Sequence, residues 1–247
     1  MKLPASSATV RPDTAPARAL FLVHDDDTDR GIADTGTLRE HVAERGYEIE
    51  IVHPSDEFPD VTTFEFVIVM GSAEAAYDDS VPWLAAEIAY LRSALAANVP
   101  ILGVCFGGQL LSRVLGGKVK RSETPEHGYV TVETVAPELV SRGPWMQMHF
   151  DRFTLPPGAR EIARNGAALQ AFTFGKNLGV QFHPEISPAV WATWQASWAA
   201  TREGQLVVER GIDLQQITAE ISARADESRT NCGLLLDAFL ALARTSV

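Results

Sequence analysis

The stretch Pro100–Gln109 reads PILGVCFGGQ, and it decides the fold that the sequence predicts. Its first half is an apolar run typical of a buried strand, and its second half surrounds a cysteine with glycines before a helical segment begins near Gln109. A side chain at such a strand-to-helix turn takes a strained backbone conformation, and Gly103 and Gly107 let the neighbouring chain come close. The stretch therefore predicts an exposed nucleophile elbow at Cys105.

Similar apolar runs precede the elbow, and segments with helical spacing separate them. The runs are Ala19–His24, Tyr47–His53, Glu65–Met70 and Pro100–Cys105. Alternation of strands and helices is typical of a doubly wound, mainly parallel sheet. The first half of the chain therefore predicts an α/β fold in which the elbow ends the fourth strand.

Beyond residue 117 the pattern changes, first to shorter strand-like pieces and then to helices. The strand-like pieces are Tyr129–Val135, Met146–His149 and Ala168–Phe174, followed by a buried strand over Leu178–His183. The helical segments are Pro188–Ala200, Leu214–Arg224 and Cys232–Ala243. These patterns predict an antiparallel extension of the sheet and C-terminal helices. We expect a loose tail over residues 1–18 and one domain over residues 19–247, with a helical extension from about residue 188.

The composition, 46% hydrophobic and 21% charged in 247 residues, is that of a globular protein with one sizeable core. The net charge of -11 would repel a phosphate backbone, so nucleic acid is not an expected partner. No apolar run reaches the roughly 18 residues that span a bilayer, and no membrane partner is expected. The two cysteines, Cys105 and Cys232, are compatible with a reducing compartment, and we expect a cytoplasmic protein.

A nucleophilic cysteine needs a base, and the base needs a group that orients it. Residues 179–185 read GVQFHPE and place His183 at the end of an apolar strand. Sites in α/β sheets form outside the carboxyl ends of strands, where this segment and the elbow would meet. Residues two apart in an extended segment face the same side, so His183 and Glu185 share a cleft. Alone, the motifs indicate a core cysteine and a surface pair; together they predict a triad with Cys105.

The two motifs together resemble those of the class I glutamine amidotransferase family, whose members join a G-x-C-x-G-x-Q elbow to a later F-H-P-E. Here they read GVCFGGQ at 103–109 and FHPE at 182–185. The similarity runs from about residue 19 to 185, and the helical tail resembles that of stand-alone members related to the amidotransferase domain of GMP synthase. The resemblance implies a flavodoxin-like fold and an enzyme that releases ammonia from glutamine without a metal or cofactor.

The resemblance also assigns roles to the residues that match the family's motifs. Cys105 would attack the γ-amide of glutamine and form a thioester, His183 would relay protons, and Glu185 would orient that histidine. Gln109, four places after the nucleophile, would bind the substrate. The N–H of Phe106 would donate to the oxyanion.

The loop after the third strand departs from the Gly-Gly-Pro pattern of the family. It keeps Gly71 as a substrate-binding position, but Ser72 and Ala73 stand where Gly and Pro are usual. The resemblance still places the N–H of Ser72 in the oxyanion hole, because a backbone donor survives a change from Gly to Ser. The shape of the loop is the open point, since Ser adopts a positive φ less readily than Gly.

Residues 148–151 read MHFD and resemble the S-H-G-D stretch that lines the glutamine pocket in relatives. His149 and Asp151 match, whereas Met148 and Phe150 are bulkier than their counterparts. The bulk predicts a narrower pocket or a different γ-glutamyl substrate. Glu126 aligns with a position at the mouth of the cleft in relatives. The alternative interpretation is that Glu126 is a solvated acid in a loop.

Three functions remain open at this point. The first is an ammonia-supplying glutaminase that serves a separate synthase, and the second is a self-sufficient γ-glutamyl hydrolase or peptidase. The third is a catalytically silent binding or regulatory module. Among the C-terminal helices, Trp191, Trp194 and Trp198 have helical spacing and predict one packed face, with a homodimer or partner surface as the alternative.

Overall fold

The computed structural model describes residues 16–198 and 202–245, which form an α/β fold. The strands are β1 (Arg18–Leu22), β2 (Glu48–Val52), β3 (Phe66–Val69), β4 (Ile101–Val104), β5 (Val119–Val130), β6 (Glu133–Thr134), β7 (Trp145–Phe153), β8 (Arg160–Arg164), β9 (Leu169–Phe174) and β10 (Asn177–Val180). The helices are α1 (Thr28–Asp34), α2 (Gly36–Glu44), α3 (Leu84–Ala96), α4 (Phe106–Val114), α5 (Pro188–Ser197), α6 (Arg202–Glu209), α7 (Leu214–Ala223) and α8 (Ala225–Ala243).

The main sheet has the strand order β2-β1-β3-β4-β10-β9-β8-β6. The first five strands in this order run parallel. The last three continue the sheet in antiparallel pairings. The predicted doubly wound, mainly parallel sheet with an antiparallel extension is therefore confirmed.

Two strands of the second half form a separate structure, which corrects the expectation that all of them extend the sheet. β5 and β7 pair with each other as an antiparallel ribbon. Both edges of β10 are occupied, by β4 and by β9, so the ribbon does not pair with this strand. Its apolar side chains pack instead with those of α5 and α7. The ribbon thereby covers the carboxyl ends of the central strands.

The core lies on both faces of the sheet, because successive side chains of a strand point to opposite faces. On β1, Leu20 belongs to a cluster that includes side chains of α3 and α4. The next residue, Phe21, belongs to a cluster that includes side chains of α2 and α8. Since helices cover both faces, ligands reach the central strands only at their ends.

The C-terminal helices pack on the ribbon and on the sheet. Trp191 and Trp198 are buried in the cluster of the ribbon, and Trp194 packs against it. This confirms the predicted packed aromatic face. The sequence patterns missed α6, which follows the undescribed residues 199–201.

The start of the chain and its hydrophobic segments were also the subject of predictions. Of the tail expected over residues 1–18, residues 1–15 lie outside the described residues, and Arg18 already begins β1. Within the described parts of the chain, no helix combines the length and the apolar character that crossing a membrane requires.

Candidate active site

The elbow predicted at Cys105 is present at the carboxyl end of β4. Cys105 has φ of 51° and ψ of -107°, a strained conformation for a residue with a side chain. Tight packing holds the turn in place, since a Cβ added to Gly107 would lie 2.1 Å from the carbonyl oxygen of Val69. A Cβ added to Gly103 would lie 2.4 Å from the carbonyl oxygen of Gly107. The two glycines therefore let β4 and α4 approach closely enough to form the elbow.

The thiol of Cys105 is less exposed than the elbow motif predicts. Only 6% of the residue is accessible, because the ribbon and the C-terminal helices cover the end of the sheet. Cys105 nevertheless lines two cavities, which share Ser72, Ala73 and Met148 and otherwise have different walls. We call them the His183 cavity and the Gln109 cavity after the residue that only one of them contains. The sulfur is thus reached from cavities within the fold and not from an open surface.

His183 and Glu185 follow β10, and the structure brings them together as predicted. Nδ1 of His183 lies 2.7 Å from Oε1 of Glu185, and both side chains are buried. The backbone of the segment is fixed at both residues: the N–H of His183 donates to the carbonyl of Met146, and that of Thr37 donates to the carbonyl of Glu185. A Cβ added to Gly36, whose φ is 48°, would lie 2.3 Å from the carbonyl oxygen of Glu185. Gly36 therefore allows the close approach that holds Glu185.

His183 also lies beside Cys105. A Cβ added to Gly71 would be 3.3 Å from Cε1 of His183 and 4.0 Å from Cβ of Cys105. Burial by itself lowers the pKa of His183, but the negative charges of Cys105 and Glu185 raise it, and the net pKa lies well above its ordinary value. Within the described residues Nε2 of His183 has no hydrogen-bond partner. The site therefore favours the imidazolium form of His183, whose Nε2 is free to pass a proton.

Both positions assigned to the oxyanion hole lie next to the sulfur. Phe106 is the first residue of α4, where backbone N–H groups have no intrahelical partner and the helix dipole favours negative charge. Its side chain is buried, so it contributes through the backbone. Ser72 lines both cavities, and its hydroxyl accepts a hydrogen bond from the N–H of Glu74. Its side chain thus takes part in the structure of its own loop.

The residues assigned to substrate binding, apart from Gly71, line the Gln109 cavity, whose volume is about 410 Å³. They are Gln109, Met148, His149 and Phe150. The amide of Gln109 donates to the carbonyl of Asp151 at 3.2 Å. The carboxylate of Asp151 forms an ion pair with Arg121 at 3.3 Å. The walls of the cavity thus hold the carboxylates of Asp151, Glu74 and Asp78 and the guanidinium of Arg121, the two kinds of group that bind a zwitterionic amino acid. Gly71 lies in the His183 cavity instead.

Glu126 is neither at the mouth of the cleft nor solvated, which corrects both sequence interpretations. It is buried in β5, where Asn165 and Gln170 donate to its carboxylate. Its Oε2 lies 3.2 Å from Nε2 of His149. Glu126 therefore lies against the ring of His149, although Nε2 of His149 makes no hydrogen bond with the described residues.

The sequence reasoning missed Gln181, which is completely buried. Its Nε2 lies 3.8 Å from Sγ of Cys105, and its Oε1 is 3.4 Å from the amide of Gln109. The signal was a polar residue inside an otherwise apolar strand. Gln181 thus connects the nucleophile to the substrate-binding glutamine.

A second buried histidine–carboxylate pair, also missed, supports the loop of Gly71. Nδ1 of His24 lies 2.8 Å from the carbonyl oxygen of Gly71, and Nε2 lies 3.1 Å from Oε1 of Glu87. A carbonyl only accepts, so Nδ1 carries a proton, and one further proton lies between Nε2 and the carboxylate. The ring of His24 is in edge contact with Phe106 at 4.7 Å. The pair thereby joins the two segments to which the sequence assigns the oxyanion donors.

Within residues 16–198 and 202–245, no three His, Cys, Asp or Glu side chains are grouped so as to hold a metal ion. The polar groups that converge on Cys105 are those of an amide-cleaving site with its own nucleophile and base.

Comparison with known proteins agrees with this geometry. The family model "Glutamine amidotransferase class-I" matches residues 28–193. One subunit of the glutamine-hydrolysing GMP synthase of Sulfolobus acidocaldarius is 32% identical over 151 residues, which are 57% of this chain and 78% of that protein. The glutamine-hydrolysing GMP synthase of Thermomicrobium roseum is 35% identical over 129 residues, which are 49% of this chain and only 23% of that protein.

Solved structures resemble nearly the whole chain. A glutamine amidotransferase of Thermotoga maritima superposes with a TM-score of 0.80 at 23% identity, over 93% of this chain and 99% of that one. A glutamine amidotransferase of Methylobacillus flagellatus gives a TM-score of 0.74 at 22% identity, over 94% and 96%. These likenesses confirm the flavodoxin-like fold and extend it through the C-terminal helices. The match of the family model to two thirds of the sequence confirms what the two motifs predicted: the chain is an enzyme that belongs to the class I glutamine amidotransferase family.

Proposed function

We propose that this enzyme hydrolyses the γ-amide of glutamine through a γ-glutamyl thioester on Cys105. The observation that carries the proposal is that Cys105 lines two adjoining cavities. One contains the His183 and Glu185 pair, and the other contains Gln109 and Asp151. The nucleophile therefore borders both a base and an amino-acid pocket.

The first half of the reaction forms the thioester. The thiolate of Cys105 adds to the amide carbon, and the N–H groups of Phe106 and Ser72 stabilise the oxyanion that results. The C–N bond breaks as Nε2 of His183 gives its proton to the leaving nitrogen, so ammonia departs. Glu185 holds Nδ1 at 2.7 Å and fixes the ring for this transfer.

The second half returns the free enzyme. Neutral His183 takes a proton from water, whose oxygen adds to the thioester carbon. The C–S bond breaks and releases glutamate, and the thiolate of Cys105 again faces the imidazolium. In the Gln109 cavity, Arg121 is placed for the α-carboxylate of the substrate and Asp151 for its α-ammonium group.

The role of Cys105 is tested by comparing it with the second cysteine. Burial raises the pKa of Cys232 to about 12, so its thiol is neutral at pH 7.5. We expect a glutamine-like chloroketone to alkylate Cys105 at least about 100-fold faster than Cys232, as measured by peptide mass spectrometry. The Cys105→Ala variant is expected to lose glutamate release from glutamine. Equal alkylation of both cysteines would contradict the proposal.

We further propose that the ammonia serves a separate synthase, because two of the relatives are named as single subunits of a GMP synthase. Co-purification of a synthase from the native cell, with faster glutaminase activity in the complex, would support this role. A homodimer and a cytoplasmic location remain predictions of the sequence. The self-sufficient γ-glutamyl hydrolase is the second candidate, and the size of the His183 cavity favours it.

A further inference from the structure

The two cavities divide the substrate at the bond that is cleaved. The Gln109 cavity contains the amino-acid pocket, whereas the His183 cavity contains the proton donor. The leaving nitrogen must lie within reach of Nε2 of His183 when the C–N bond breaks. The glutamyl part of the substrate therefore occupies the Gln109 cavity, and its leaving group points into the His183 cavity.

The His183 cavity is larger than ammonia needs. Its volume is about 100 Å³. On the same measure, a cavity needs only about 10–15 Å³ to hold one molecule the size of water or ammonia. There is thus room beyond the leaving nitrogen for several further heavy atoms.

The chemistry of its walls indicates which atoms fit. Trp194 and Trp198 from the α5 segment form an aromatic side, and Trp194 is also in edge contact with the ring of His183 at 4.7 Å. Aromatic faces attract ammonium groups. Asp34, the last residue of α1, supplies a negative charge opposite to that of an ammonium group.

Asp34 has no cationic side chain paired with it. The other acid at this end of the cavity, Asp25, forms a two-pronged ion pair with Arg30. Asp34 has no ion pair with Lys or Arg among the described residues, and its Oδ1 has no hydrogen-bond partner there. Burial, Asp25 and Glu185 raise the pKa of Asp34 to about 7, although a hydrogen bond with Trp194 and the charge of His183 act in the opposite direction. Glu185, which is 1% exposed, likewise has an unpartnered Oε2 in this wall.

We propose that the His183 cavity is a leaving-group subsite for amines larger than ammonia, and that it selects γ-glutamyl amides whose amine carries a second, positively charged group. The proposal rests on the proposed function, because it uses the same thioester on Cys105. Water replaces the amine: the C–N bond breaks, His183 protonates the amine nitrogen, and hydrolysis of the thioester gives glutamate. Amines that carry a carboxylate are disfavoured, since Asp34 and Glu185 would repel it.

The test uses the purified full chain and matched γ-glutamyl amides. Their amines are 1,3-diaminopropane, propylamine and 3-aminopropanoate, which share one chain length and differ in the charge of the far end. Glutamate release is measured for each amide and for glutamine. We expect kcat/KM for the diamine amide to exceed that of the propylamine amide by about 10-fold, the effect of one partly buried charge pair, and the carboxylate amide to be slowest.

Two variants locate the source of the preference. Asp34→Asn should bring the ratio of the diamine to the propylamine amide close to one. Asp29→Asn, on the exposed side of the same helix and outside the cavity, makes the same charge change and should keep the ratio. An unchanged ratio in the Asp34 variant would overturn recognition by this carboxyl group. If this variant does not fold, the amide series on the unmodified enzyme still decides.

The remaining outcomes separate the two proposals. If the enzyme hydrolyses glutamine but none of the three alkyl amides, the subsite is overturned and the proposed function stands. Equal rates for the three amides, or a fastest carboxylate amide, would overturn the selectivity for a cation. No hydrolysis of any substrate and no thioester trapped on Cys105 would overturn both.

Discussion

The site contains two buried histidine–carboxylate pairs. They differ in the group that faces the ring nitrogen not bound to the carboxylate. His183 is held by Glu185 at 2.7 Å and faces the sulfur of Cys105. His24 lies 3.1 Å from Glu87 and hydrogen-bonds the carbonyl of Gly71. The same pair of side chains thus supplies the proposed base in one place and fixes a loop in the other. The role of a buried histidine thus depends on the atom that its other ring nitrogen, the one not held by the carboxylate, contacts.

Replacing His183, the histidine of the first pair, is expected to have the largest effect on kcat. In His183→Gln the leaving nitrogen loses its proton donor, so kcat for glutamine should fall by about 10² to 10⁴-fold. His53→Gln provides a control, because this histidine also follows a strand end but lies outside both cavities at Cys105. Steady-state glutamate release measures the effect. A fall of less than about 10-fold would remove His183 from the proton transfer.

Gly71 is the residue where the two pairs meet, so a small substitution there should disturb both. In Gly71→Ala the new Cβ would lie 3.3 Å from Cε1 of His183, and the ring must yield by a few tenths of an ångström. Displacements of this size at a reacting group lower kcat by about 10-fold or more. Unchanged folding, seen by thermal unfolding, together with unchanged kcat would mean that the ring has more freedom than the packing implies.

Breaking the second pair should have a smaller effect that appears in kcat and not in KM. Glu87→Gln keeps the size of the side chain but removes its charge, which weakens the hold of His24 on the Gly71 carbonyl. The oxyanion donors stabilise charge mainly in the transition state, so we expect kcat to fall by about 3- to 10-fold. A rise in KM alone would assign the pair to substrate binding.

The double variant sharpens this point. If His24 and Glu87 act as one unit, His24→Gln combined with Glu87→Gln should reduce kcat no further than the more damaging single change. Additive losses would indicate that the two residues act separately.

The smallest expected effect concerns stability near the first pair. The pKa of Asp34 is about 7 in the folded chain and ordinarily 3.8, so between these values the folded state binds more protons than the unfolded state. The free energy of unfolding therefore falls as the pH rises from about 4 to 7. Between about pH 5 and 7, Asp34→Asn should remove on the order of 1–2 kcal/mol of this fall. Urea unfolding at several pH values measures it, and an identical pH dependence in the variant would contradict the assignment.

The sequence predicted the first pair because both members lie in one short segment beside a recognisable strand. It could not predict the second, because His24 and Glu87 are 63 residues apart and lie on different elements. Both sequence interpretations of Glu126 were wrong for the same reason. Its partners Asn165 and Gln170 come from a distant hairpin, and only the folded ribbon turns the carboxylate inward.

Local patterns determined the parallel strands, the elbow and the order of nucleophile, base and orienting acid, because each depends on neighbours within a few residues. The exposure of Cys105 was decided by tertiary structure. The elbow predicts an accessible thiol, but the ribbon and the α5 segment, far away in sequence, cover it and leave two cavities. Their sizes and charges follow from long-range packing, which no local pattern records. The chemistry at Cys105 was therefore predictable from the sequence, whereas the space around its substrate was not.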